Sequence, residues 1–161
     1  MPKMLDNWTR DWSDKVTINF KRLKTDAKLP AYAHDGDAGL DVYLPCTYAP
    51  LNPGEIRIVP LGFAVEIPNG YAIQVCSRSG LASRGIFVIN APGIVDSNFR
   101  NEVGVILINV SAAIQPLNLG DRVCQFVVAK VPKVEWNIVD ELSTSDRQGG
   151  FGSTKGYSDV I

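Results

Sequence analysis

Histidine is almost missing from this chain: His34 is the only one in 161 residues. It reads as a surface loop residue without a role, so a Ser-His-Asp triad and a histidine-rich metal site are both set aside. Cys46, Cys76 and Cys124 are odd in number and isolated among apolar or small neighbours. That excludes a disulfide framework and a cysteine zinc site, and it fits a reducing compartment. No apolar run reaches the roughly 18 residues of a membrane span, and the N-terminus lacks the charged-then-apolar order of a signal peptide. A cytoplasmic location is expected, or a nuclear one in a source that has a nucleus. Excess positive charge is missing too: 16 Lys and Arg against 17 Asp and Glu give a net charge of −1. Stable nucleic-acid binding, which needs a basic face to displace counterions, is therefore not expected. Any phosphate site must be local, and no P-loop supplies it.

What remains is a balanced globular composition, 45% apolar and 20% charged, long enough for one domain that buries about two thirds of its unfolded surface. Leu5, Trp8 and Trp12 lie at helical spacing among polar residues, which reads as a short appended helix or a loose extension, its tryptophans packing on the domain or on a neighbouring subunit. From Val16 the apolar period becomes two, as in VTINFKR, GFAVEI, YAIQV, VGVILINV and RVCQFVVAKV, with prolines punctuating the runs. Short strands at this spacing predict an all-β fold. Pro68-Asn69-Gly70 predicts a tight hairpin. Residues 105–110 are apolar on both faces, which suits a sandwich centre or a subunit interface. Ser77 to Arg84 is the one convincing helical start inside the domain, with Ser77 as its N-cap.

Four internal segments carry polar residues that strands do not need. In AHDGDAGLDVYL, Asp35 and Asp37 suit a turn, whereas Asp41 begins a strand and can hold metal-bound water or a sugar hydroxyl. In Ser77-Arg78-Ser79-Gly80-Leu81-Ala82, a guanidinium and backbone amides at a helix start converge on one anion. In Asn90-Ala91-Pro92-Gly93-Ile94-Val95-Asp96-Ser97-Asn98-Phe99-Arg100, an apolar step delivers Asp96 at a turn. It is either an Asp-Ser-Asn turn or a general base for water. In Gly120-Asp121-Arg122-Val123-Cys124-Gln125, a charged pair opens a strand, and the Gln125 amide inside an apolar run needs a specific partner.

The last nineteen residues, STSDRQGGFGSTKGYSDVI, combine Gly149, Gly150, Gly152 and Gly156 with Arg147, Ser153, Thr154, Lys155 and a lone Phe151. The segment is either a solvated terminus or an anion-binding arm that orders over a nucleotide with Phe151 against a flat base.

Together the stretches DAGLD (37–41), SRSGLA (77–82), NAPGIVDSNFR (90–100), GDRVCQ (120–125) and GGFGST (149–154) occur in the order of the five motifs of the trimeric dUTP diphosphatase (dUTPase) family. From about Val16 to Lys155 the chain closely resembles that family. The resemblance implies a jelly-roll-like β domain at 16–142 with one short helix, an N-terminal extension at 1–15 and a flexible, nucleotide-covering C-terminal arm at 143–161. It implies a homotrimer whose active sites are each built from three subunits, converting dUTP and water to dUMP and pyrophosphate with Mg²⁺. This reaction keeps uracil out of DNA and supplies dUMP for thymidylate synthesis.

Carried onto this sequence, Asp96 becomes the base for water attacking the α-phosphorus. Arg78, Ser79 and Gly80 hold phosphates, with Gln125 on the α-phosphate side. The Mg²⁺ is held mainly by the triphosphate, with Asp41 and Gln125 acting through water. Asn90, the backbone of Gly93, Ile94, Val95 and Asp96, and Gly104 read uracil in a β-hairpin pocket, and Phe99, where the family usually has tyrosine, packs under deoxyribose. In the arm, Phe151 stacks on uracil while Arg147, Gly152, Ser153 and Thr154 close over the phosphates. Two departures stand out: Arg147 precedes Phe151 by four residues instead of the family's five, and Lys155 is inserted after Ser-Thr. Two other readings are a dCTP deaminase, opposed by the GGFGST arm, and a regulatory protein that uses the nucleotide-ordered arm and the N-terminus to contact a partner.

Overall fold

A computed structural model describes residues 15–146. Leu5, Trp8 and Trp12 and the arm residues Arg147 to Thr154 lie outside them. The period-two runs form eleven strands, β1 Asn19–Arg22, β2 Leu40–Tyr43, β3 Tyr48–Leu51, β4 Ile56–Pro60, β5 Phe63–Glu66, β6 Tyr71–Cys76, β7 Ile86–Val88, β8 Gly93–Val95, β9 Gly104–Asn109, β10 Gln115–Leu117 and β11 Arg122–Lys130, with one helical turn, α1 Ser79–Ala82. All strand pairs are antiparallel. One sheet runs β2-β11-β6-β8, a second β4-β9-β7, and β1-β5 and β10-β3 form two-stranded ribbons.

Alternation decides which side chains turn inward. In β9, Val105, Leu107 and Asn109 are buried, and with Val42, Phe63, Val75, Ile86, Val95, Cys124 and Phe126 the apolar residues join one core that spans the sheets. Phe63 stacks tilted on Phe20 at 4.8 Å and edge-on to Phe126 at 6.1 Å. The buried Asn109 is fully used: its amide donates to the Leu51 and Ala113 carbonyls, and its oxygen accepts from the amide and hydroxyl of Ser111. That satisfies the requirement that a desolvated amide be paired. Burial also pushes the Cys124 thiol well up, so it stays protonated and fills space as a small apolar side chain.

Two local expectations are corrected. The Pro68-Asn69-Gly70 turn forms, with Gly70 at φ +84° and the Tyr71 amide donating to the Pro68 carbonyl. Its flanking strands do not pair, however: β5 joins β1 and β6 joins β11 and β8. The turn is a corner between sheets, because each neighbouring strand finds its ladder elsewhere. Ser77 is not a helix cap. Its hydroxyl accepts from the Val88 amide at 2.9 Å, while Arg78 takes the N-cap position without a side-chain cap bond.

The other face of β9 is apolar as well. Ile106 and Ile108 stand beside Ile56 and Ile58 on β4 and Phe87 on β7, and Ile58 is 68% exposed. Beyond β11 the chain continues without strand pairing through residue 146, leaving Val134, Trp136 and Ile138 exposed at alternate positions. Among the described residues no helix is long and apolar enough to cross a membrane.

Candidate active site

The central position of β11 brings three distant motifs side by side. Gln125 is opposite Asp41 on β2 and opposite Cys76 on β6, so the ends of DAGLD and GDRVCQ and the start of SRSGLA meet at one sheet end. A cleft of about 340 Å³ opens there, and Asp41, Arg78, Ser79, Gly80, Arg122 and Gln125 contribute to its lining.

Asp41 is almost buried, and both of its carboxylate oxygens are engaged. Arg78 Nε donates to Oδ1 at 2.7 Å and Arg122 Nη1 donates to Oδ2 at 3.0 Å. Arg78 Nη1 donates in addition to the backbone carbonyl of Arg122 at 3.1 Å. Two guanidiniums share one carboxylate, so Arg78 and Arg122 also offset Asp37, the second carboxylate on the cleft lining, and leave N–H donors for an anion. Beside it the amides of Leu81 and Ala82 both return to the Arg78 carbonyl. Those of Ser79 and Gly80 precede the first bond of the turn and are not used by it.

Gln125 meets the expectation of a specific partner: its Nε2 donates to the Ser77 carbonyl at 2.9 Å. That bond fixes which end of the amide is free, and Oε1 lies against Gly39. A Cβ on Gly39 would come within 2.3 Å of that oxygen. Gly39→Ala is therefore expected to displace the Gln125 amide while sparing the core. The expected result is a roughly tenfold or larger fall in kcat/KM, with Tm changed by less than about 4 °C. Steady-state kinetics alongside thermal melts check it.

The residues of the 90–104 segment assemble elsewhere. β8 pairs with β6 and β7 pairs with β9, so residues 89–92 bridge two sheets and the flanking strands do not ladder with each other. The expected β-hairpin around Asn90 is corrected to this bridging loop. Gly93 packs closely on Asn90, where an added Cβ would meet the Asn90 Nδ2 at 2.9 Å. Asp96 follows β8, is exposed, and lines a second cleft of about 480 Å³ with Asn69, Gly70, Ser97 and Asn98. Its backbone carbonyl accepts from the Phe99 amide at 3.1 Å, and the Phe99 ring packs half-buried on the core. Ile94 is exposed and Val95 buried, while Gly104 begins β9 opposite Pro60.

One chain therefore gathers Asp41, Arg78, Ser79, Gly80 and Gln125 in one cleft and places Asp96 in another. The turn reading of Asp37 fits: its Oδ2 accepts from the His34 amide at 2.9 Å. Arg122 is the cleft residue that sequence reasoning passed over. Its signal was the charged pair at the start of β11, but Asp121 spends its carboxylate on the Asn118 amide at 2.7 Å, which leaves Arg122 for Asp41. Among the described residues no group of three or more His, Cys, Asp and Glu could hold a metal ion.

A family model described as dUTPase matches residues 25–155. Curated relatives named deoxyuridine 5'-triphosphate nucleotidohydrolase include that of Desulfotalea psychrophila, 47% identical over 132 residues that cover 78% of this chain and 86% of that protein. The relative from an Anaeromyxobacter species is 48% identical over 146 residues, covering 86% and 97%. Among solved structures, a mutant dUTPase of Staphylococcus bacteriophage 80alpha with dUpNHpp superposes with a TM-score of 0.74 at 25% identity, covering 86% of this chain and 98% of that one. A mutant dUTPase from phage phi11 of S. aureus, described with coordination of a structural Mg(II) ion, gives a TM-score of 0.70 at 25% identity, covering 80% and 99%.

Proposed function

The chain belongs to the dUTPase family, and from that premise we propose that it hydrolyses dUTP to dUMP and pyrophosphate at sites assembled from three copies of itself. The observation that carries this reading is the division of labour within one chain. The Asp41–Arg78–Gln125 cleft suits phosphates, whereas Asp96 lies in a separate cleft beside the 90–99 segment. A neighbouring copy can bring its Asp96 and Asn90 to the phosphate cleft of the first.

Two surfaces support self-association. The apolar outer face of β4-β9-β7 exposes Ile56 and Ile58 beside Phe87, a patch that a closed symmetric assembly buries. The extended segment after β11 offers Val134, Trp136 and Ile138 on one side, suited to lying against another copy. On this account residues 16–142 form the β domain, residues 1–15 are appended to it, and residues 143–161 are the arm that closes the site, with Phe151 on the base and Arg147, Gly152, Ser153 and Thr154 over the phosphates.

Within the assembled site the Arg78 guanidinium and the Ser79 and Gly80 amides hold phosphate oxygens, and the Gln125 amide, with one Nε2 hydrogen on the Ser77 carbonyl, lies on the α-phosphate side. Asp96 accepts the proton of the attacking water. Asn90 and the backbone from Gly93 to Asp96, with Gly104, read uracil, and Phe99 under the sugar excludes a ribose 2′-hydroxyl. The donor set fits Mg²⁺ that arrives with the triphosphate: Asp41 spends one lone pair of each oxygen on a guanidinium, leaving others for metal-bound water. Bound Mg²⁺ supplies neutralisation of the phosphate charge. A cytoplasmic location, or a nuclear one in a source with a nucleus, suits an enzyme that acts on free dUTP.

The test is pyrophosphate release from dUTP, dTTP, dCTP and UTP with Mg²⁺. The dUTP kcat/KM is expected to exceed each of the others by roughly 10² or more. Equal turnover of all four, or turnover of none, contradicts the proposal.

A further inference from the structure

We propose that Arg122 is a positioning residue for phosphate recognition, acting through Asp41 to keep the Arg78 guanidinium oriented and its charge available to the nucleotide. The inference rests on the dUTPase reading above and assigns a role to a side chain that reading leaves unused.

The geometry is a three-member relay. Asp41 is flanked by Arg78 Nε at 2.7 Å and Arg122 Nη1 at 3.0 Å, one guanidinium on each oxygen. The Arg122 backbone carbonyl takes Arg78 Nη1 at 3.1 Å. Residue 122 thus touches Arg78 twice over, by its peptide oxygen directly and by its side chain through the shared carboxylate. Those two bonds use Nε and Nη1, so Nη2 remains for a phosphate oxygen.

The charge balance gives the side chain its purpose. Asp37 also lines the cleft, so Arg78 alone would face two carboxylates, a lining that repels a triphosphate. A second guanidinium on Asp41 brings that lining to charge balance without moving Arg78. The solvent positions differ in the same sense: the Asp41 side chain is 12% exposed and the Arg122 side chain 48%. The shared carboxylate therefore lies inside and the balancing cation at the rim. Screening at that rim limits the expected effect to roughly tenfold.

The experiment measures the Kd for dUpNHpp with Mg²⁺ by calorimetry, and kcat and KM for dUTP, in the wild type, Arg122→Met, Arg122→Lys, Asp41→Asn and the Asp41→Asn/Arg122→Met double variant. Arg122→Met is expected to raise Kd and KM roughly tenfold with a smaller change in kcat, and Arg122→Lys to recover most of that loss. In the Asp41→Asn background the same Arg122→Met step is expected to cost less than about twofold, because the carboxylate that links Arg122 to Arg78 is gone. The binding readout keeps the cycle measurable even where Asp41→Asn abolishes turnover.

Unchanged binding in Arg122→Met overturns the inference. A full tenfold loss in the Asp41→Asn background also overturns it, since Arg122 then acts on the nucleotide itself or on the fold; a lowered Tm in both backgrounds identifies the fold. Failure of the wild type to bind dUpNHpp or turn over dUTP instead removes the dUTPase reading.

Discussion

Asp96→Asn is expected to bind dUTP within a few-fold of the wild type and to lower kcat by roughly 10²–10⁴-fold, the range that a positioned general base contributes. The substitution keeps the size of the side chain and one acceptor oxygen, and it replaces the charged oxygen that takes the proton with a neutral NH2 group. Asp96 is exposed and outside the core, so folding of the chain does not depend on its charge. Its backbone carbonyl, which receives the Phe99 amide, is unaffected by the change. Isothermal titration with dUpNHpp together with single-turnover hydrolysis separates the two effects. Comparable losses in binding and turnover contradict a base role and make Asp96 a binding group.

The opposite pattern is expected at Arg78. Arg78→Leu removes the donor proposed for the phosphates and also deprives Asp41 of its closest partner at 2.7 Å. Asp41 then retains Arg122 alone, at 3.0 Å, and that half-exposed pair leaves the site with a carboxylate turned toward an anionic substrate. Loss of one preorganised donor costs about 10²–10³-fold, and the added repulsion weakens ground-state binding as well. Both KM and kcat should therefore suffer, with kcat/KM down by roughly 10³-fold or more. Arg78→Lys keeps the charge but cannot reach Asp41, the Arg122 carbonyl and a phosphate together, so it is expected to recover only a small part of the loss. Full recovery with lysine contradicts the forked geometry described here.

Much of this is legible in the sequence itself. The period-two runs became strands because alternation is a local property, and Asp41, Arg78, Asp96 and Gln125 stood out as polar residues that strands do not require. What stayed hidden was non-local. Arg122 lies 81 residues from Asp41 in sequence, and only the placement of β11 between β2 and β6 makes them partners. Spacing suggested a partnership with Asp121 instead, which the Asn118 amide pre-empts. The turn at Pro68-Asn69-Gly70 carries a hairpin signature, yet the strands beside it gain more from ladders in different sheets. Ser77 looked like a cap, but the Val88 amide competes for its hydroxyl. Gly39 became meaningful only once the Gln125 amide was seen against it. The arm and the tryptophans at 8 and 12 lie outside the described residues, so their readings rest on sequence alone.

Composite sites, in which the phosphate cleft comes from one copy and Asp96 from another, are the centre of this account. Co-expressing the Asp96→Asn and Arg78→Leu chains and assaying the mixed assemblies tests it most directly. Each variant alone is expected to be nearly inactive. If the two groups come from different subunits, random mixing at equal amounts restores about a quarter of the sites, each with an intact Asp96 facing an intact Arg78. If the mixture remains as inactive as its parents after subunit exchange is verified by mass, both groups serve the same chain's site and the composite account is wrong.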